Sequence, residues 1–221
     1  MDYLKRNAIV FAATLTILWN VPLAAAESEA PDVRIRIHDY ARIADDVMAQ
    51  AQERVTDIYK TIGVQMRWQI TVCPPDPSAA AAETLTEGSD FILIVLSPHM
   101  SRRLKVAPDV LGMAVVPPQG GGRIAYVLFD RITRVARAAR SDVTDVLGRV
   151  VAHEIGHLML PDGSHSGNGL MRAEWNIKEL QRPRHSAFEF TVPQGETIRR
   201  RLRGSARASS GNDEVQTARS K

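Results

Sequence analysis

The 221-residue chain has little cysteine, little excess charge of either sign, and no long apolar run after its first 26 residues. Its single cysteine, Cys73, excludes an intramolecular disulfide framework and a multi-cysteine metal cluster. The formal net charge of +3 is too small to favour nucleic acid as a partner. Hydrophobic residues make up 44% of the chain, which is ordinary for a globular protein and excludes disordered, collagen-like and multi-span membrane classes.

The first 26 residues have the arrangement of a secretory signal peptide. Lys5 and Arg6 precede an apolar stretch at 8–19, and the small residues at 24–26 supply a cleavage site before Glu27. The stretch is shorter than the roughly 20 residues that span a bilayer, although an uncleaved anchor is the alternative. We therefore expect bacterial export to a secreted or periplasmic location, with no stable membrane insertion after cleavage.

Hydrophobic spacing along the rest of the chain predicts strands and helices. The predicted elements are a strand at 33–37, a helix at 43–62 ended by Gly63, strands at 64–72, 91–96, 111–116 and 124–129, a short helix from Asp130, and a helix from Ser141 or Asp142 to Pro161. This order predicts one α+β domain at 27–203, with a mixed twisted sheet and two main helices. Residues 204–221 are polar and low in hydrophobics, so we expect a disordered tail there.

The last predicted helix carries an H-E-x-x-H motif at residues 153–157. Helical spacing places His153 and His157 one turn apart on one face, so both imidazoles can reach a single metal ion. Glu154 lies beside them, where it can hold an attacking water and take its proton.

A catalytic zinc site needs three protein ligands and an open position. His165 is the best third candidate, because the helix is broken after Pro161 and the chain can turn back towards the two histidines. Three carboxylates stay open as alternatives, because carboxylate oxygen also binds zinc. They are Asp162, Glu174 and Glu179.

The segment 153–171, with the sequence HEIGHLMLPDGSHSGNGLM, resembles the zincin metallopeptidases and, among them, the metzincin group. The resemblance implies Zn²⁺ held by His153, His157 and His165, with Glu154 as general base and Met171 in a turn beneath the metal. It also implies a zincin-like single domain with an active-site helix and a small C-terminal subdomain.

The spacing after the motif departs from the metzincin pattern H-E-x-x-H-x-x-G-x-x-H. Here Gly163 follows His157 by six residues and His165 follows it by eight. The segment is therefore similar to a divergent branch of bacterial exported zincins. The departure bears on the identity of the third ligand more than on the metal site itself.

The resemblance and the motif together predict an exported zinc-dependent metallopeptidase, acting as a monomer on a peptide or protein substrate. A substrate would lie extended along the predicted strand at 111–116 as an added strand. The alternative function is a non-catalytic zinc-binding protein of zincin fold that acts as a secreted binding module.

Two further features have open interpretations. Cys73 is expected as a small buried hydrophobe, with an inhibitory zinc-binding thiolate as the alternative. The cluster Arg199 to Arg203 is expected as the solvated face of a helix that Pro193 starts, with contact to anionic surfaces as the alternative.

Overall fold

The computed structural model describes residues 30–74, 77–81, 89–117, 122–161, 165–181 and 188–219, with side chains at the C-terminal end described up to Ser205. The predicted signal peptide lies outside these residues. The described strands are β1 (Asp32–Asp39), β2 (Gln65–Ile70), β3 (Asp90–Leu96), β4 (Gly112–Val115) and β5 (Ile124–Leu128). The described helices are α1 (Asp45–Thr61), α2 (Pro77–Ala81), α3 (Pro98–Arg103), α4 (Phe129–Ala139), α5 (Val143–Met159), α6 (Ile177–Leu180) and α7 (Val192–Arg219).

The five strands form one mixed sheet in the order β2-β1-β3-β5-β4. The pairs of β1 with β2, β1 with β3 and β3 with β5 are parallel, whereas β4 is antiparallel to β5. β2 and β4 are therefore the two edge strands. The predicted α+β class with a mixed sheet, a helix carrying H-E-x-x-H and a small C-terminal part after it is confirmed.

Helices and loops cover both faces of the sheet, as the continuous apolar run of β3 predicts. All seven residues of β3 are buried. Phe91, Leu93 and Val95 belong to the main core with α1 and α5, whereas Ile92 and Ile94 belong to a smaller cluster on the other face. A strand with apolar side chains on both faces is stable only between two covering layers.

Helices α1 and α5 cross on the main face of the sheet in close contact. A Cβ on Gly148 would lie 2.7 Å from the Arg54 Cβ, so only glycine allows this approach. The Tyr59 hydroxyl donates to the Ala152 carbonyl over 3.0 Å. Asp142 caps α5 by accepting from the Thr144 N–H, which confirms the predicted start of this helix. α5 is thereby fixed inside the core, with Thr144 and every residue from Val146 to Met159 buried.

Three elements between β1 and β4 differ from the sequence prediction. The short helices α2 and α3 lie between strands that were expected to follow one another through loops. The alternation at 64–72 predicted a regular half-buried strand, but β2 is an edge strand in which Ile70 is 62% exposed, and Val72 beyond it is 93% exposed. Alternation indicates a strand, and it does not say whether a neighbouring helix extends far enough to cover it.

The C-terminal helix is longer than the sequence predicts. α7 continues to Arg219, through most of the segment at 204–221 for which disorder was expected. Low hydrophobicity argued for disorder, but it does not oppose helix formation in a segment that has alanine and arginine and no proline. The domain boundaries themselves remain a prediction. Within the described residues, no helix is both long enough and apolar enough to cross a bilayer.

Candidate metal centre

The C-terminal half of α5 places two histidines side by side in a closed environment. His153 and His157 are each about 8% exposed, and their Nε2 atoms lie 2.9 Å apart. Two nitrogen ligands of one tetrahedral zinc ion, each at about 2.1 Å from it, lie roughly 3.4 Å apart, which is close to this spacing. The two imidazoles are therefore already arranged as ligands of a common ion.

His165 reaches the same point from the segment that follows α5. One ring nitrogen from each of His153, His157 and His165 lies within 4.8 Å of the others. The ring centroid of His165 is 5.4 Å from that of His153 and 4.8 Å from that of His157. Among the described residues this is the one group of three side chains with metal-ligand spacing.

The two competing carboxylates that the structure describes, Glu174 and Glu179, are not part of this group. Glu179 pairs with Arg172 and accepts from the Asn176 N–H as part of a capping box. Glu174 is exposed and is not among the clustered ligands. Asp162 lies outside the described residues. The geometry therefore favours His165 among the alternatives that can be compared.

The loop after His165 forms a hydrogen bond with the His153 imidazole. The Leu170 carbonyl lies 2.8 Å from His153 Nδ1. A carbonyl only accepts, so Nδ1 carries the proton and Nε2 keeps its lone pair for a metal. The loop is closed by a bond from Ser166 N–H to the Met171 carbonyl and held by one from Leu170 N–H to the Glu189 carbonyl.

A glycine with a left-handed backbone shapes this turn. Gly169 has φ of 72°, and a Cβ there would lie 2.5 Å from the Glu189 carbonyl oxygen. Both the torsion angle and the close approach exclude other residues. The Gly-Leu-Met turn therefore depends on this glycine.

Met171 lies fully buried against the helix between the two histidines. A Cβ on Gly156 would lie 2.6 Å from the Met171 sulfur and 3.1 Å from the Phe190 ring. The nearest neighbours of a side chain at this position are therefore not residues of the sheet. Its neighbours come from the segment after α5, so the glycine allows the methionine turn to support the helix from below.

Burial shifts the pKa values of two motif residues, His153 and Glu154. It lowers the pKa of His153 to about 4, which keeps the imidazole neutral and able to bind a metal. Burial also raises the pKa of Glu154 to about 8, so this carboxylate is a stronger base than an exposed one. Three imidazole ligands with no thiolate fit Zn²⁺ in the type of site that keeps an open coordination position.

Two residues of the site escaped the sequence analysis. Gly112, at the start of β4, faces Glu154 so closely that a Cβ would lie 2.6 Å from its Cγ and 2.7 Å from its Oε1. The available signal was a glycine inside a predicted strand, which often marks the close approach of another group. Trp175 has its ring 5.4 Å from that of His153, at 90°. No ligand spacing points to a tryptophan, so this contact had no sequence signal.

Comparisons with known proteins give weak similarities. No family model matches the chain, and no curated protein matches it. The crystal structure of archaemetzincin from Methanopyrus kandleri is 19% identical, covers 81% of this chain and 99% of its own, and has a TM-score of 0.46. That of metalloproteinase-II from Bacteroides fragilis is 12% identical, covers 79% of this chain and 54% of its own, and also has a TM-score of 0.46. At these identities the likeness concerns the fold, and it does not assign this chain to either family.

Proposed function

We propose that this protein is a zinc-dependent peptide-bond hydrolase. One observation carries the proposal: three imidazole nitrogens lie within 4.8 Å of one another, and the buried Glu154 directly follows His153 on the same helix. A structural zinc site takes four protein ligands, whereas a catalytic site takes three and keeps one position open. Three histidines with a neighbouring buried carboxylate match the catalytic type.

The residues divide the chemistry between them. A zinc ion held by His153, His157 and His165 would lower the pKa of a water molecule and polarise the scissile carbonyl. Glu154 takes a proton from the attacking water as the water oxygen bonds to the carbonyl carbon. The same carboxyl group then gives that proton to the leaving nitrogen as the C–N bond breaks.

The open edge of strand β4 supports the proposal that a peptide substrate binds there. It is an edge strand, and among the described strands it pairs only with β5. Its first residue, Gly112, contacts the Glu154 carboxylate. An extended peptide that adds to the open edge of β4 would therefore pass close to the general base.

The test is Glu154→Gln, which keeps the size of the side chain and removes the base. We expect the variant to bind zinc at the wild-type stoichiometry and to lose about 100-fold or more of its hydrolysis. The measurement combines elemental analysis with mass-spectrometric detection of cleaved peptides from a mixed peptide library. The matched control is Glu174→Gln, because Glu174 is exposed and outside the histidine cluster.

Two outcomes would contradict the proposal in different ways. Cleavage by Glu154→Gln at the wild-type rate would show that Glu154 is not the base. Stoichiometric zinc in the wild-type protein, without any chelator-sensitive cleavage, would favour the non-catalytic binding module. We also propose that the protein is exported, on the strength of the sequence pattern at residues 1–26.

A further inference from the structure

The ring of Trp175 lies between the metal centre and the C-terminal part of the fold. On one side it is perpendicular to the His153 imidazole, with centroids 5.4 Å apart. On the other side it is nearly perpendicular to the Phe188 ring, at 5.1 Å and 85°. The half-buried indole therefore has an aromatic partner on each side, and one of them is a candidate zinc ligand.

The backbone around Trp175 is fixed from several directions. Asn176 caps α6 through a reciprocal capping box with Glu179. The last carbonyl of that helix, from Leu180, accepts from Ser141 Oγ at 2.9 Å and from Arg149 Nη1 at 3.2 Å. These bonds tie α6, and the residue just before its cap, to the start of α5. Trp175 thus projects from a segment that is fixed relative to the histidine helix.

The Arg149 guanidinium fixes the second aromatic ring as well. Its central carbon lies 4.2 Å from the Phe188 ring centroid. A cation over an aromatic face is an attractive contact, and it is stronger where water is excluded. Contacts therefore run from Arg149 through Phe188 and Trp175 to His153.

The other described tryptophan shows what is different about Trp175. Trp68 on β2 donates its indole N–H to Thr56 Oγ1 over 3.0 Å. The indole nitrogen of Trp175 is buried and has no hydrogen-bond partner among the described residues. Trp68 serves a hydrogen bond between β2 and α1, whereas Trp175 acts through the contacts of its ring.

We propose that Trp175 is a positioning residue for the metal ligand His153. The Leu170 carbonyl holds the imidazole at Nδ1, and the perpendicular indole restricts how far the ring can tilt. Together they aim Nε2 at the point shared with His157 and His165. The inference rests on the proposed zinc site. Partners that orient a metal ligand typically change metal affinity by about 10- to 100-fold when they are removed.

The experiment compares Trp175→Leu with Trp175→Phe in the full chain. Zinc affinity is measured by competition with a chromogenic chelator, independently of any hydrolysis. We expect zinc to bind about 10- to 100-fold more weakly to the leucine variant. The phenylalanine variant keeps a perpendicular ring and should rescue most of the affinity. The matched control is Trp68→Leu, which also removes a half-buried indole and should leave zinc affinity unchanged.

A second readout separates positioning from general stability. Co²⁺ in place of zinc gives a visible absorption spectrum that reports ligand geometry, and this spectrum should change in Trp175→Leu and remain near wild type in Trp175→Phe. If the leucine variant does not fold, Trp175→Met replaces it, because methionine keeps a long apolar side chain without a ring. Wild-type zinc affinity and an unchanged Co²⁺ spectrum in the ring-less variant would overturn the inference. A wild-type chain that binds no zinc would instead overturn the proposed function.

Discussion

Two ionisable side chains lie buried five positions apart on α5, and their surroundings differ. Arg149 is fully buried, and its guanidinium contacts the Asp145 carboxylate at 4.0 Å, the Leu180 carbonyl and the Phe188 ring. Glu154 is 6% exposed, and burial is the cause that raises its pKa to about 8. The arginine is compensated by fixed partners, whereas the glutamate faces Gly112 on the neighbouring strand.

The difference indicates a division of labour along one helix. A buried charge with fixed partners orders the structure, because removing either side leaves the other without compensation. A buried carboxylate with a strongly shifted pKa beside candidate metal ligands is the arrangement expected of an acid or base in catalysis. The N-terminal half of α5, residues 143–151, therefore contributes to holding the fold together, and the C-terminal half, residues 152–159, carries the candidate metal ligands and the proposed base.

The strongest test of this division is Arg149→Leu. We expect the free energy of unfolding to fall by about 3 kcal/mol, because the substitution removes the donor to the Leu180 carbonyl and a cation from a buried network. Urea denaturation measures this loss. The control is Arg134→Leu, whose side chain is 68% exposed in its pair with Asp130 and whose loss should cost under about 1 kcal/mol. Equal stabilities of the two variants would contradict a structural role for Arg149.

A smaller effect on stability is expected from the two helix glycines. A Cβ on Gly148 would meet Arg54, and a Cβ on Gly156 would meet the Met171 sulfur. Each alanine variant should lose about 1–3 kcal/mol from overpacking, offset by about 1 kcal/mol of improved helix propensity. Only Gly156→Ala should also weaken zinc binding, because it displaces the turn that holds His153 through Leu170. Urea denaturation and chelator competition, measured on both variants, test the pair. An equal loss of zinc affinity in Gly148→Ala would remove the distinction between the two halves.

The sequence predicts where the strands and helices of this fold lie better than it predicts which other elements cover them. Apolar alternation predicted β1, and a continuous apolar run predicted that β3 is buried on both faces, because these patterns follow from the geometry of a strand. Gly63, with φ of 68°, follows the end of α1, as expected of a glycine after a helix. The burial of a side chain by another element is a different property. Ile70 and Cys73 follow apolar patterns, yet Ile70 is exposed and Cys73 is only partly buried.

Prediction of the candidate site from the sequence has the same limit. Helical spacing placed His153, Glu154 and His157 together, and the break at Pro161 correctly indicated that the chain can return with His165. The contacts that shape the site join residues far apart in sequence, such as Glu154 with Gly112. Which segment packs on a glycine depends on the whole fold, and local patterns carry no information about it.

The smallest effect on stability, and a large one on chemistry, is expected from Gly112→Ala. The new Cβ would lie 2.6–2.9 Å from the Glu154 carboxyl group, which is the end of a side chain and can shift aside at little cost in folding energy. A displacement of about 1 Å in a reacting group can cost on the order of 100-fold in rate. We therefore expect a loss of under about 1 kcal/mol in the free energy of unfolding, with zinc retained and hydrolysis greatly reduced.

The matched control is Gly204→Ala, because no atom lies within 4 Å of a Cβ at that position. Peptide cleavage, zinc content and urea denaturation are measured on both variants. Wild-type cleavage by Gly112→Ala would show that the general base does not need the space beside β4. A loss of cleavage in which zinc and stability are retained would place the glutamate at the edge strand during the reaction. That result would complete the contrast between Arg149, which serves the stability of the fold, and Glu154, which would then serve the reaction.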